Sequence, residues 1–244
     1  MTQAIVTEGL ITAYNQLIAG KEISLPKKTH SFKYYTEAIQ RYRDSYKLSL
    51  EKPYWEGVQK KMLQLPQGGS TADHIRTFNL QYSHSCLTHL LTDAHKAYNT
   101  TENDLLIAAF LDSYCQVTGN NRVSLMMEGH GREPIHEPIV TDRTVGWFTS
   151  MYPVVVEGIN GDVRHDIRLV KETFRAVPNK GLGYGVLQYI PSAEGDRNLR
   201  TDLTECLGFN YLGDVKSNDA MGGFRARTSL RKTRNTRRIS TYNS

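Results

Sequence analysis

The patterning of this 244-residue sequence predicts a mixed α/β layer in which helices pack on a sheet. Three observations carry the prediction. Apolar residues recur at helical spacing in several separate segments. Val123, Leu125 and Met127 suggest a strand, and Tyr152–Glu157 is an apolar, β-branched run of strand length. The two kinds of segment alternate irregularly, with strands in the middle and near the end.

The elements follow in order. Leu10, Tyr14, Leu17 and Ile18 predict a helix over 8–19, stopped by Gly20. Ser31 is placed to cap a second helix whose stripe is Phe32, Tyr35, Ile39, Tyr42 and Tyr46. A short helix is expected after Pro53, through Tyr54, Trp55 and Val58, and Leu65–Asp73 reads as a loop. Phe78, Leu80 and Tyr82 alternate with polar residues as in a strand with one buried face. Residues 85–98 read as a helix, as do 103–117, the latter capped by Asn103 with Leu106, Ala109, Phe110 and Ser113 on its stripe. Gly119-Asn120-Asn121 makes a turn into the strand Val123–Met127, which runs into Glu128. Tyr152–Glu157 is the next strand. Residues 162–176 form a charged amphipathic helix ended by Pro178, and Leu207–Leu212 a last core strand.

Composition narrows the classes. With 39% hydrophobic and 23% charged residues the chain is globular rather than disordered or membrane-spanning, and its apolar runs are too short to cross a bilayer. Met1–Thr12 has no basic stretch before an apolar core, so no secretory signal is expected. Cys86, Cys115 and Cys206 fit no metal spacing and read as reduced thiols of a cytoplasmic protein. The net charge of +5 is uneven: eight of the 30 Lys+Arg but only one of the 25 Asp+Glu fall in 215–244. The remainder is mildly acidic, so neither nucleic acid nor a membrane is expected as a partner of the body.

The densest run of chemistry is Glu128-Gly129-His130-Gly131-Arg132-Glu133. A carboxylate at a strand end, facing a cleft, can serve as a proton acceptor or donor. On the residues alone, a strand-to-loop turn with a paired Arg132–Glu133 surface is the favoured account. A metal held by His130, Glu133 and His136 matches no strong ligand motif, and Pro134 and Pro138 favour a loop, so no metal is expected. Arg143–Thr149 (RTVGWFT) reads as a buried loop leading into the strand at Tyr152. Pro178–Gly185 (PNKGLGYG) is glycine-rich, but it follows a helix and lacks a P-loop ending, so a nucleotide site is not expected and a helix end with a tight turn is.

Taken together and in this order, these segments resemble the epimerization domains of non-ribosomal peptide synthetases, relatives of the condensation domains. Asn103–Ala109 (NDLLIAA), Glu128–Glu133 (EGHGRE), Arg143–Thr149, Pro178–Gly185 and Phe209–Gly213 (FNYLG) match the family's third to seventh motifs over about residues 8–214. The resemblance implies one lobe of a two-lobed, chloramphenicol acetyltransferase-like condensation/epimerization fold. It implies inversion at Cα of an aminoacyl or peptidyl thioester carried on the phosphopantetheine of a peptidyl carrier protein, with no cofactor bound directly. It assigns Glu128 as an acid/base group, with Asn210 and Tyr211 at the active site, and Gly129, His130, Arg132, Trp147, Thr149 and Tyr184 as substrate-binding or site-shaping positions.

Two departures from the pattern set further expectations. The family's catalytic histidine lies in a His-His-x-x-x-Asp-Gly motif, and this sequence has no His-His pair. The chain is therefore expected to be inactive alone and to need an N-terminal lobe. The alternatives are one chain of a split epimerase and a non-catalytic module that binds carrier protein. After Asp214 the arginine-rich 215–244 reads as a basic tail, disordered or out of frame, or else as an extension docking an acidic partner.

Overall fold

A computed structural model describes residues 2–63, 78–80, 83–135, 138–193, 199, 206–211 and 238–240. Five helices come first: α1 (Thr2–Ile18), α2 (Phe32–Tyr42), α3 (Tyr46–Lys61), α4 (His84–Tyr98) and α5 (Glu102–Thr118). Strands β1 (Arg122–Gly129) and β2 (Ser150–Glu157) follow, then α6 (Val163–Arg175), a 3₁₀ turn over Pro178–Gly181, and α7 (Leu182–Tyr189). Two short strands, β3 (Leu207–Asn210) and β4 (Arg238–Ser240), complete the order β2-β1-β3-β4.

The sheet is mixed, as expected. β1 pairs antiparallel with β2 and parallel with β3, and β3 pairs parallel with β4. Pro153 has no N–H to give a ladder, and it sits on β2, an edge of the sheet, opposite Met126. β1 is buried at five successive positions, Val123 to Met127, the signature of a strand covered on both faces. Two helix groups pack on the β1–β2 pair: α5 and α6 pack on one another, α5 on β1 and α6 on β2, while α3 and α7 pack on one another and on β2. Trp55, Leu125, Val154, Val156, Val170 and Tyr184 are among the fully buried core residues. Among the described residues no helix is long and apolar enough to cross a membrane.

Several local expectations change. The stripe beginning at Phe32 does not continue to Tyr46: α2 ends at Tyr42, and Ser45 caps a new helix by accepting from the Leu48 N–H (3.2 Å). α3 then runs through Pro53 rather than starting there. Its coherence comes from burial. Leu48, Trp55 and Val58 face the core, and the buried Glu51 carboxylate accepts from the Tyr42 hydroxyl (3.0 Å) and from Trp55 Nε1 (3.2 Å). The strand expected at Phe78–Tyr82 is absent over the described residues 78–80, where Phe78 and Leu80 are exposed; Gln81 and Tyr82 lie outside the described residues, as does the loop expected at Leu65–Asp73. The glycine-rich Pro178–Gly185 is not only a turn, for its second half is the start of the buried helix α7. α1 is longer than its apolar spacing predicted and buries none of its residues, leaving Leu10, Tyr14, Leu17 and Ile18 exposed.

α5 is capped by Thr101, not Asn103. Thr101 Oγ1 accepts from the Asp104 N–H (3.3 Å) and the Asp104 carboxylate accepts from the Thr101 N–H (2.8 Å), a reciprocal capping box. The face it buries is Leu105, Ile107, Ala108, Leu111 and Cys115, one step round from the stripe expected, and Ala109 and Ser113 are exposed. Thr101→Val keeps the shape and removes the acceptor. It is expected to lower stability by about 1 kcal/mol, read as a lower midpoint in thermal denaturation; an unchanged midpoint would show the cap to be idle.

Candidate active site

Parallel pairing decides where the site forms. β1 and β3 run side by side in the register Leu125↔Leu207, Met126↔Gly208, Met127↔Phe209. One residue further on come Glu128, next to last in β1, and Asn210, the last residue of β3. Asn210 Nδ2 donates to Glu128 Oε2 at 3.1 Å. Residues 82 apart in sequence are thus joined at the edge of a parallel pair where α/β sheets commonly bind ligands. Glu128 and Asn210 are each half-buried, and Tyr211 follows Asn210 directly, partly buried against the core. A hydrogen bond to a carboxylate is charge-assisted and directional, so the Asn210 amide fixes the rotation of the Glu128 side chain.

The rest of EGHGRE turns sharply away from the strand. A Cβ on Gly129 would stand 2.7 Å from Ser150 Oγ and 3.3 Å from the Lys180 carbonyl oxygen, so the chain passes there only without a side chain. Gly131 adopts φ +67°, and its carbonyl accepts the Tyr35 hydroxyl at 2.5 Å. Burial is the largest cause that pushes the Tyr35 phenol up to about 12, with the Arg132 charge opposing and Glu133 adding, so this donor keeps its proton. Tyr152, across the strand pair, is also pushed up to about 12, again chiefly by burial.

His130 folds back on its own loop. Its Nδ1 accepts from the Arg132 N–H at 3.0 Å, which places the ring hydrogen of the neutral imidazole on Nε2, 2.9 Å from Glu133 Oε1. Arg132 does not pair with Glu133 at the surface. Its guanidinium donates to the carbonyls of Thr141 and Thr144, the latter at 2.9 Å, and lies 3.8 Å over the Phe148 ring. Desolvation lowers the Arg132 pKa, as expected for a cation drawn into its own loop. Glu133 is itself buried, with Lys180 Nζ 3.5 Å from Oε2.

The remaining positions divide by exposure. Phe148 is buried between Trp147, which is 83% exposed, and the exposed Thr149. Tyr184 is fully buried with its ring 5.3 Å from that of Trp55. Sequence reasoning missed Tyr35, Glu133 and Lys180 as supports of the Glu128 loop. Tyr35 carries the ordinary signal of a core helix position, and the Glu133–Lys180 pair spans 47 residues with no motif joining them.

Comparison with known proteins places this arrangement. Residues 2–243 match the model of the condensation domain. Bacitracin synthase 2 of Bacillus licheniformis is 42% identical over 217 residues, covering 86% of this chain and 8% of the synthase. Surfactin synthase subunit 1 of Bacillus subtilis is 37% identical over 227 residues, covering 90% of this chain and 6% of that subunit. Among solved structures, the epimerization domain from the third module of tyrocidine synthetase B superposes with a TM-score of 0.75 at 36% identity, over 85% of this chain and 48% of that domain. The first condensation domain of the calcium-dependent antibiotic synthetase shares the fold at a TM-score of 0.65 and 17% identity. The chain spans about half of each solved domain and under a tenth of the curated synthases it matches. On its sequence match, its relatives and its fold, this chain belongs to the condensation-domain family of the non-ribosomal peptide synthetases.

Proposed function

We propose that this chain supplies part of an epimerization domain, which interconverts the L and D configurations at Cα of an aminoacyl or peptidyl thioester held on a carrier-protein phosphopantetheine. The observation that carries the reading is the Asn210–Glu128 hydrogen bond at the paired ends of β1 and β3. The 36% identity to a solved epimerization domain supports the subtype.

The chemistry needs few parts. The Cα–H of a thioester is weakly acidic because the carbonyl takes up the charge left by proton removal. Inversion then needs a base on one face of that carbon and a proton donor on the other, with hydrogen-bond donors near the developing oxyanion. Glu128 serves one face. Asn210 holds its carboxylate in one orientation, and the phenol of Tyr211 is next in sequence at the same strand end. The second face is served by the histidine of the His-His-x-x-x-Asp-Gly motif, a sequence that the present 244 residues do not contain.

One positioned acid/base group is worth about 10²–10⁴-fold in rate, and the wall that carries it also positions the thioester and excludes water. The chain alone is therefore expected to leave the D/L ratio of an aminoacyl-loaded carrier protein unchanged, as followed by chiral chromatography after release. Equilibration by this chain at the rate of a whole epimerization domain would overturn the reading. Equilibration only after adding a histidine-bearing half from a related domain would favour a split enzyme. Carrier binding without turnover in either case would favour a binding module.

A further inference from the structure

We propose that Glu133 is a positioning residue of this site, a buried carboxylate that ties the loop carrying Glu128 to the 3₁₀ turn at Pro178–Gly181. Its functional meaning rests on the reading of Glu128 as the acid/base group; its structural content does not.

The turn facing this loop is strained. Asn179 (φ 43°, ψ 38°) and Lys180 (φ 47°, ψ 37°) are both left-handed, and Gly181 follows at φ +82°. Two successive non-glycine residues in that region are costly for L-amino acids and persist only where surrounding contacts over-determine them. Three of the turn's contacts lead to the loop that carries Glu128. Asn179 Nδ2 donates to the Pro134 carbonyl at 3.3 Å. Lys180 Nζ stands 3.5 Å from Glu133 Oε2. The Lys180 carbonyl oxygen lies where Gly129 leaves room for it, at 3.3 Å from the position a Cβ would take.

On its other oxygen Glu133 meets His130 Nε2 at 2.9 Å, while the Arg132 N–H occupies Nδ1. The carboxylate is 7% exposed, against 51% for the imidazole and 71% for the ammonium, so Glu133 is the buried hub and its two partners form the rim. Its charge adds to the burial that raises the Tyr35 and Tyr152 phenols, so both keep their protons at neutral pH. His130 is therefore spent on the loop, with both ring nitrogens directed at residues 132 and 133. The carboxylate that faces the chemistry, Glu128, sits two residues before it on the same tied segment.

The test measures amide hydrogen exchange and imidazole ¹⁵N spectra on the whole chain, in Glu133→Gln, Lys180→Met and the double variant. Glu133→Gln is expected to speed exchange tenfold or more at residues 128–132 and 179–183, with the sheet amides of Val123–Met126 unchanged. Lys180→Met, altering a mostly exposed side chain, is expected to give a smaller change in the same two segments. The double variant is expected to match Glu133→Gln, because both changes break one link. His130 is expected to keep a bare Nδ1 and a protonated Nε2 in every variant, because the Arg132 N–H that fixes them is unaltered. A lost tautomer preference, additive effects, or faster exchange spread evenly through the chain overturns the proposal; the first and last would mean that the loop unfolds rather than loosens at this link. If Glu133→Gln does not fold, Lys180→Met decides: local loosening upholds the link and unaltered exchange removes it. Neither readout involves turnover, so failure here and failure of the epimerase reading are separate results.

Discussion

Glu128→Gln, placed in an epimerization domain carrying this segment, is expected to lower the rate of Cα inversion by about 10²–10⁴-fold, which is about 3–5 kcal/mol of barrier. The substitution is nearly isosteric. The glutamine carbonyl oxygen can still accept the Asn210 N–H now given to Oε2 at 3.1 Å, so the ends of β1 and β3 stay joined. What is lost is the ability to carry a proton. Stability should therefore move by no more than about 0.5 kcal/mol, as for substitutions that leave packing intact. The cleanest measurement is washout of deuterium from Cα of a loaded carrier protein, which reports proton removal even when one enantiomer is favoured. Asn210→Ala removes the orienting donor but not the acid, so its effect should be smaller and should fall on the same step. A Glu128→Gln domain that exchanges Cα–H within a few-fold of the native rate would show that the carboxylate is not the proton carrier.

The sheet and its helices were legible for a physical reason. Val123, Leu125 and Met127 fall on one face of β1 and mark it as a strand, while the burial of Ser124 and Met126 on its other face is a finding of the structure. β1 ends where the chemistry begins, so the motif EGHGRE could be read as a strand end before any coordinates. The pairing of Glu128 with Asn210 was less accessible. Nothing local to either residue encodes a register between strands 82 positions apart; that came from the resemblance of the ordered motifs to a family.

The failures have causes as specific. Phe78, Leu80 and Tyr82 alternate as a half-buried strand does, but alternation becomes a strand only with a neighbour to hydrogen-bond, and Phe78 and Leu80 face solvent. Asn103 is a good capping residue in isolation, yet Thr101 with Asp104 three residues later is the reciprocal pattern, and it wins by satisfying two groups instead of one. Arg132 and Glu133 looked like a surface ion pair because they are adjacent and opposite in charge. Adjacent residues on a tight turn point different ways, and each found a better partner: Arg132 the carbonyls of Thr141 and Thr144, Glu133 the ring of His130 and the ammonium of Lys180. The site's supporting residues were hidden because backbone strain at Asn179 and Lys180 leaves no mark on residue type.

Gly131→Ala is expected to be the most damaging small substitution near the site. Two costs combine. At φ +67° an L-residue is disfavoured by about 1–2 kcal/mol. A Cβ there would also stand 1.5 Å from the Phe148 carbonyl oxygen and 2.5 Å from its carbon. These are backbone atoms just before β2, and no rotamer change can move them aside. Relief would require the 129–132 loop to lift from residues 148–150, stretching the Tyr35 hydroxyl contact to the Gly131 carbonyl and the Arg132 stack on Phe148. Together these should exceed about 3 kcal/mol, the range of large single-site effects, and lower the thermal midpoint by roughly 6–12 °C in a domain of this size. Gly185→Ala supplies the contrast. It lies within α7 with nothing within 4 Å of its would-be Cβ, so alanine there should stabilise by about 0.5–1 kcal/mol through helix propensity. The opposite signs of these two identical chemical changes follow from backbone conformation and the space beside it, and a Gly131→Ala chain that melts with the native one would mean that the turn supporting Glu128 is built some other way.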